Sequence, residues 1–175
     1  MRSTHTQHGF VLITSIVFLV AITITVVYAV RSATLREHSA GNNRARAQAF
    51  EMAQLAMRRA QAQLTEEVIF PASGCSNGLC NKEDATKTYL LNSTNWGSGT
   101  GTCAIDNTSC NKIKGGNTAI TQTVAGVAAQ PRWAIRDMNN NVQGDCTYYE
   151  VWAQGTGADA NSSVLLKSIV KACES

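Results

Sequence analysis

Charge is missing from one long stretch of this sequence: from Phe10 to Val30, 21 residues, there is no Asp, Glu, Lys or Arg. About 20 apolar residues suffice for a helix to cross a bilayer, so this run is expected to be a membrane anchor. Motifs that carry chemistry are missing as well. There is no GxSxG, no HExxH and no Walker A sequence, so no hydrolase elbow, zinc protease helix or nucleotide loop is expected. The glycine-rich segment Gly97-Ser98-Gly99-Thr100-Gly101 lacks the Lys-Ser/Thr ending of a phosphate loop and reads as a flexible connection. Asp106, Asp137, Asp145, Glu150 and Asp159 are dispersed, and none has the spacing of a calcium loop. No enzyme, cofactor or metal is therefore expected. Nor do basic residues run together with aromatics, as a single-strand nucleic-acid groove requires. The net charge of +3, from 15 Lys+Arg against 12 Asp+Glu, describes a mildly basic solvated surface, and no nucleic-acid partner is expected.

All six cysteines, Cys75, Cys80, Cys103, Cys110, Cys146 and Cys173, lie beyond the apolar run. An even set confined to one region reads as a disulfide framework made in an oxidising compartment. Zinc is the competing reading. It is disfavoured because there is no CxxC pair, and the three histidines, His5, His8 and His38, all lie outside the cysteine region. Six cysteines allow 15 pairings. Near-neighbour pairing would join Cys75 to Cys80, Cys103 to Cys110 and Cys146 to Cys173.

The polar segment Met1–Gly9 precedes the apolar run, which is longer than the core of a secretory signal and is not followed by a small-residue cleavage site. An uncleaved anchor is the plain physical reading. Arg2 on one side and Arg31, Arg36, Arg44 and Arg46 on the other would, by the positive-inside rule, put the C-terminal part in the cytoplasm. The six cysteines point the other way, and they weigh more. The run is rich in Val and Ile, which is compatible with a helix, because a lone strand cannot satisfy its backbone in lipid. Thr14, Ser15, Thr23 and Thr25 interrupt it with hydroxyls that can bond to carbonyls one turn back or to a neighbouring helix.

Residues 31–67 continue as helix. Ala45, Ala49, Ala53, Ala56 and Ala60 recur at three- and four-residue spacing, and Phe50, Ala53, Met57, Ala60 and Leu64 form an adjoining stripe. Gly41-Asn42-Asn43 is the weak point, expected as a kink, a melted turn or a boundary between two helices. Small alanines on the buried face would let a sheet approach closely. Pro71 ends the helical region.

Beyond it, residues 72–130 read as loops with short strands over Thr88–Leu91 and Ala119–Val124. Clearer strands follow at Arg132–Arg136, Tyr148–Gln154 and Val164–Val170, with Tyr149, Val151 and Ala153 on one face. Turn signals at Asn139-Asn140-Asn141 and Gly155–Asp159 separate them, which predicts an antiparallel meander. Asn161-Ser162-Ser163 matches a glycosylation acceptor, a pattern that often occurs by chance. The fold class is α+β: a long N-terminal helix, its first half transmembrane, packed against a C-terminal antiparallel sheet and stabilised by disulfides.

Gly9-Phe10 followed at once by an apolar helix resembles the prepilin leader junction. The stretch His38-Ser-Ala-Gly-Asn-Asn-Arg-Ala-Arg-Ala-Gln-Ala-Phe50-Glu-Met-Ala-Gln-Leu-Ala-Met-Arg58, with Glu37 before it, resembles the PilX family of type IV minor pilins through Glu37, Ala40, Gly41, Asn42, Arg44, Arg46, Ala49, Phe50, Ala53 and Ala56. That resemblance implies a pilin-like fold with leader 1–9, transmembrane segment 10–30, helical continuation 31–70 and a cysteine-rich domain 71–175. It implies cleavage after Gly9 by a prepilin peptidase, methylation of Phe10, and an assembly and anchor helix beginning at Phe10 and including Thr14 and Val30. The protein would wait in the inner membrane with its C-terminal domain in the periplasm, and reach the pilus tip or filament on assembly. Its partners would be other minor pilins, the major pilin and a tip adhesin. Most pilins carry glutamate at the fifth mature position, which is Thr14 here, and its loss resembles tip initiators. The function implied is priming of pilus assembly in support of twitching motility and adhesion. A K-type pseudopilin of type II secretion, or a surface-exposed adhesive or DNA-binding module, are the alternatives.

Overall fold

Few residues between positions 8 and 63 oppose a helix, and the computed structural model forms one element there, α1, His8–Gln63. The structure describes residues 8–64, 68–97, 101–111, 121–138 and 146–173. Expectations for Met1–Gln7, Glu66, Glu67, Ser98–Thr100, residues 119 and 120, Asn139–Asn141 and Asp145 fall outside them. Gly41, Asn42 and Asn43 are themselves helical, so neither the melted turn nor the boundary between two helices expected there is present. A mid-helix glycine costs only about 1 kcal/mol relative to alanine, and helix-forming alanines, glutamines and arginines follow it.

The chain divides into two compact units, Met1–Asn43 and Arg44–Ser175. In the first, the side chains from Phe10 to Val30 are exposed. Its most apolar window has a mean hydropathy of 2.8, so by length and composition the segment is able to cross a membrane. The hydroxyls are satisfied within the helix. Thr14 donates to the carbonyls of Phe10 (3.1 Å) and Val11 (3.0 Å), Ser15 to Val11, Thr23 to Val20 and Thr25 to Ile22. Each bond reaches back three or four residues, which lowers the cost of a hydroxyl in lipid.

The second unit lays a six-stranded sheet against the remaining part of α1. Strands β1 (Cys75–Ser76), β2 (Leu79–Cys80), β3 (Cys103–Ala104), β4 (Arg132–Asp137), β5 (Cys146–Thr156) and β6 (Ser163–Cys173) run in the order β1-β2-β4-β5-β6, with β3 also on β4. The β4-β5-β6 meander is antiparallel as expected, and β5 and β6 are each 11 residues long. The sheet as a whole is mixed, because β2 pairs parallel to β4. Strands β1 and β2 were not expected. Their signal was Asn77-Gly78, whose φ values of 50° and 81° are those of a tight hairpin turn.

Alternation along the strands divides the interior into two layers. Trp133, Ile135, Val151 and Ala153 face Ala56 and Ala60 of α1. Ala134 and Trp152 point the other way and pack with Cys80, Leu90 and Trp96. The second layer corrects the reading of Thr88–Leu91 as a strand. Asp84–Leu91 is a helix, α2, with Thr86 and Leu90 buried one turn apart. Seating Leu90, and then Trp96 from the 3-10 turn Ser93–Trp96, requires a helical rather than a period-two spacing. Residues 121–124, expected as part of a strand, form none.

Candidate functional site

Two regions of this chain stand out: the exposed apolar segment of α1, and the buried face on which α1 and the sheet lock together. Gly9 and Phe10 both lie within α1, and Phe10 is 71% exposed, as are most of the large side chains that follow it, in lesser degree. Thr14 presents a neutral, internally bonded hydroxyl within this apolar surface.

The locked face rests on small residues. Ala49, Ala53, Ala56 and Ala60 are completely buried. A Cβ added at Gly155 would collide with the Ala49 carbonyl oxygen and the Ala53 amide nitrogen, and one at Gly157 with the Ala45 carbonyl. The β5 strand therefore touches the helix backbone directly, which is possible only where both sides lack bulk. Gln48 secures the same end, donating to the Gly126 carbonyl at 2.9 Å and accepting from the Ala158 amide at 3.1 Å. The family-like motif thus separates into two groups. Ala49 and Ala53 are packing residues, whereas Ala40, Gly41, Asn42, Arg44 and Arg46 are exposed and Phe50 is 44% exposed. Gly155 and Gly157 read in the sequence only as turn signals. Their signal as packing partners was small residues two apart at a strand end, opposite an alanine stripe.

On the far side of the sheet a buried charge network holds α2. Arg136 donates from Nη1 to Glu150 at 3.2 Å, from Nη2 to the Lys82 carbonyl at 2.6 Å and from Nε to Thr86 at 3.2 Å. Lys167 Nζ lies 2.6 Å from the other oxygen of Glu150, and the Trp152 indole also donates to that carboxylate. Burial by itself would raise the Glu150 pKa, but the hydrogen bond and charge of Lys167, with Trp152 and Arg136, outweigh it and hold the carboxyl below its ordinary value. Together these contacts clamp α2 to the sheet.

The structure joins Cys75–Cys80, Cys103–Cys110 and Cys146–Cys173, the near-neighbour pairing, and leaves no free thiol. Among the described residues no group of three or more His, Cys, Asp or Glu side chains is placed to hold a metal ion.

No curated protein sequence and no solved structure matches the chain. Two family models do: the PilX N-terminal model over residues 8–58, and the model for the C-terminal part of the type IV pilus assembly protein PilX over residues 76–172. The first spans the apolar segment and the exposed motif. The second spans the sheet except for its two terminal residues, Cys75 and Cys173, includes the other four cysteines, and by itself covers more than half of the chain. The protein therefore belongs to the PilX family of type IV pilus assembly proteins.

Proposed function

We propose that this chain is a minor pilin that joins a tip or initiation complex and primes assembly of the type IV pilus, in support of twitching motility and adhesion. Thr14 carries the reading. It stands where most pilins place a glutamate, and its hydroxyl is already bonded to Phe10 and Val11 within the helix. A neutral residue enters lipid at little cost but gives no carboxylate to pair with a neighbour's terminal amine. A subunit of this kind suits a position filled once, not a repeating one.

Family membership supports the remaining parts of this proposal. A prepilin peptidase removes residues 1–9 by cutting after Gly9, and Phe10 becomes the methylated N-terminus. Residues 10–30 hold the protein in the inner membrane, 31–70 extend the helix, and 71–175 form the cysteine-rich domain in the periplasm, where its disulfides are stable. Other minor pilins, the major pilin and a tip adhesin are its partners.

Deletion is the direct test. The mutant should carry fewer surface pili and twitch less, while the membrane pool of major pilin stays normal. Unchanged pilus number, or this chain being as abundant as the major subunit in sheared filaments, overturns the priming role.

A further inference from the structure

Three Asn-x-Ser/Thr triplets occur in the sequence: Asn92-Ser93-Thr94, Asn107-Thr108-Ser109 and Asn161-Ser162-Ser163. All three asparagines are exposed, and their side-chain bonds tell them apart. Asn92 and Asn107 are engaged through their carbonyl oxygens. Oδ1 of Asn92 accepts from the Thr94 amide at 3.1 Å and the Thr94 hydroxyl at 2.8 Å, and Oδ1 of Asn107 accepts from the Ser109 amide at 2.8 Å. Asn161 is engaged through its nitrogen. Its Nδ2 donates to Oδ1 of Asp159 at 3.3 Å, and the same oxygen accepts the Asn161 backbone N–H at 3.1 Å. The turn that carries this pair is fixed at its base. Gly157 donates to the Ser162 carbonyl at 2.8 Å, Ser162 to the Asp159 carbonyl at 3.0 Å, and Ala158 to Gln48 of α1 at 3.1 Å. The tip, from Ala158 to Asn161, is exposed throughout. Ser163, the hydroxyl residue of the triplet, is exposed as well and opens β6 opposite Thr156.

We propose that Asn161 is an N-glycosylation acceptor, loaded by a membrane-bound oligosaccharyltransferase from a lipid-linked pyrophosphate oligosaccharide. An amide nitrogen is a weak nucleophile because its lone pair is shared with the carbonyl. A carboxylate that accepts its N–H draws the proton away and returns electron density to the nitrogen, and an ionised acceptor makes that bond strong. Asp159 does this for Asn161, and among the described residues no carboxylate bonds to Asn92 or Asn107. The Ser163 hydroxyl supplies the second recognition element of an acceptor triplet. In the transfer, a bond forms between Nδ2 and the anomeric carbon of the sugar while the bond from that carbon to the pyrophosphate oxygen breaks. The lipid pyrophosphate leaves with that electron pair and takes up one Nδ2 proton, so the asparagine keeps one N–H. The inference rests on the proposed periplasmic location of the domain, where such a transferase acts. The sugar then shields the start of β6, an edge of the sheet whose Leu165 is 38% exposed.

The test takes the full chain from membranes of its native cells and maps its peptides by electron-transfer fragmentation, which leaves sugars on the residues that carry them. Asn161 should bear an oligosaccharide, and Asn92 and Asn107 should be bare. Asn161→Gln and Ser163→Ala should abolish the modification, and Ser163→Thr should retain it. Asp159→Ala should lower the occupied fraction roughly tenfold, the ratio that one hydrogen bond to a charged group represents. All three positions are exposed, and alkylation without reductant verifies that each variant keeps its three disulfides. The measurement on the parent stands whether or not a variant folds. A bare Asn161 in the parent overturns the inference. So does sugar on Asn92 or Asn107 in its place, sugar on the hydroxyl of Ser162 or Ser163, or undiminished occupancy in Asp159→Ala. The cysteines separate this failure from a failure of the location. A bare Asn161 in a fully disulfide-bonded chain refutes glycosylation alone, whereas a bare Asn161 with free thiols refutes the periplasmic reading with it.

Discussion

Replacing Gly155 by alanine adds one methyl group at the tightest point of the molecule. The new Cβ would overlap the Ala49 carbonyl oxygen and the Ala53 amide nitrogen, and lie 2.8 Å from the Met52 carbonyl carbon. Non-bonded carbons rest about 3.5–4.0 Å apart. All three obstacles are helix backbone, which cannot swing aside as a side-chain end can, so α1 must retreat by about 1 Å. A gap of that size forfeits roughly a quarter to a half of each dispersion contact along the row Ala49, Ala53, Ala56 and Ala60. Overpacking commonly costs about 1–3 kcal/mol, and the upper end applies because the whole interface shifts. For a unit of this size each kcal/mol moves the melting temperature by about 3–5 °C, so Gly155→Ala should melt about 10–15 °C lower. Tryptophan fluorescence of the detergent-solubilised protein reports this through Trp133 and Trp152, which lie in the two layers of the core. Gly97→Ala is the control. Gly97 is already helical at φ −71°, and an added Cβ would come no closer than 3.8 Å to the Thr94 carbonyl. That change should be neutral or slightly stabilising. If Gly155→Ala melts within about 2 °C of the parent, the direct contact of β5 with the helix backbone is wrong.

Glu150→Gln should cost roughly 3 kcal/mol, the lower end for breaking a buried ion pair, because Lys167 is 38% exposed and partly screened by water. The Glu150 pKa is lower folded than unfolded, so its contribution is present above about pH 4.5 and lost as pH falls through the folded value. Denaturant melts of parent and variant should therefore converge in acid, and a pH-independent gap between them would refute the clamp. Replacing Cys146 and Cys173 together by serine should be the most damaging disulfide deletion. Their separation of 27 residues implies about 3.5 kcal/mol, against about 2 kcal/mol for the loops of 5 and 7, and equal losses in urea titrations would contradict this ordering. Gly9→Ala should block leader removal. Mass spectrometry of the parent from membranes should find a chain beginning at methylated Phe10, and an intact Met1 or a cut beyond Val30 would disprove the processing.

The long apolar helix, the alanine stripe, the last three strands and the confinement of the cysteines to one region could all be read from residue order alone. Each is a local, repeated pattern: 21 residues without charge, apolar residues at helical spacing, alternation along Tyr148–Gln154. Bilayer thickness, helix pitch and strand pleat turn such patterns into structure without reference to distant parts of the chain. The family-like motif was visible for the same reason, as a run of consecutive residues. What only the tertiary structure decided is where distant segments meet. That Thr88–Leu91 belongs to a helix depends on Trp152 and Ala134 forming a second buried layer for Leu90. That Arg136, Glu150 and Lys167 share one site depends on the strand register and on α2 folding over it. Gly155, in sequence a turn residue, proves to be a packing residue because Ala49 and Ala53, some hundred positions earlier, come to lie against it. Local physics sets which element a segment forms; which element covers which face is a contest among long-range contacts, and only the folded chain resolves it.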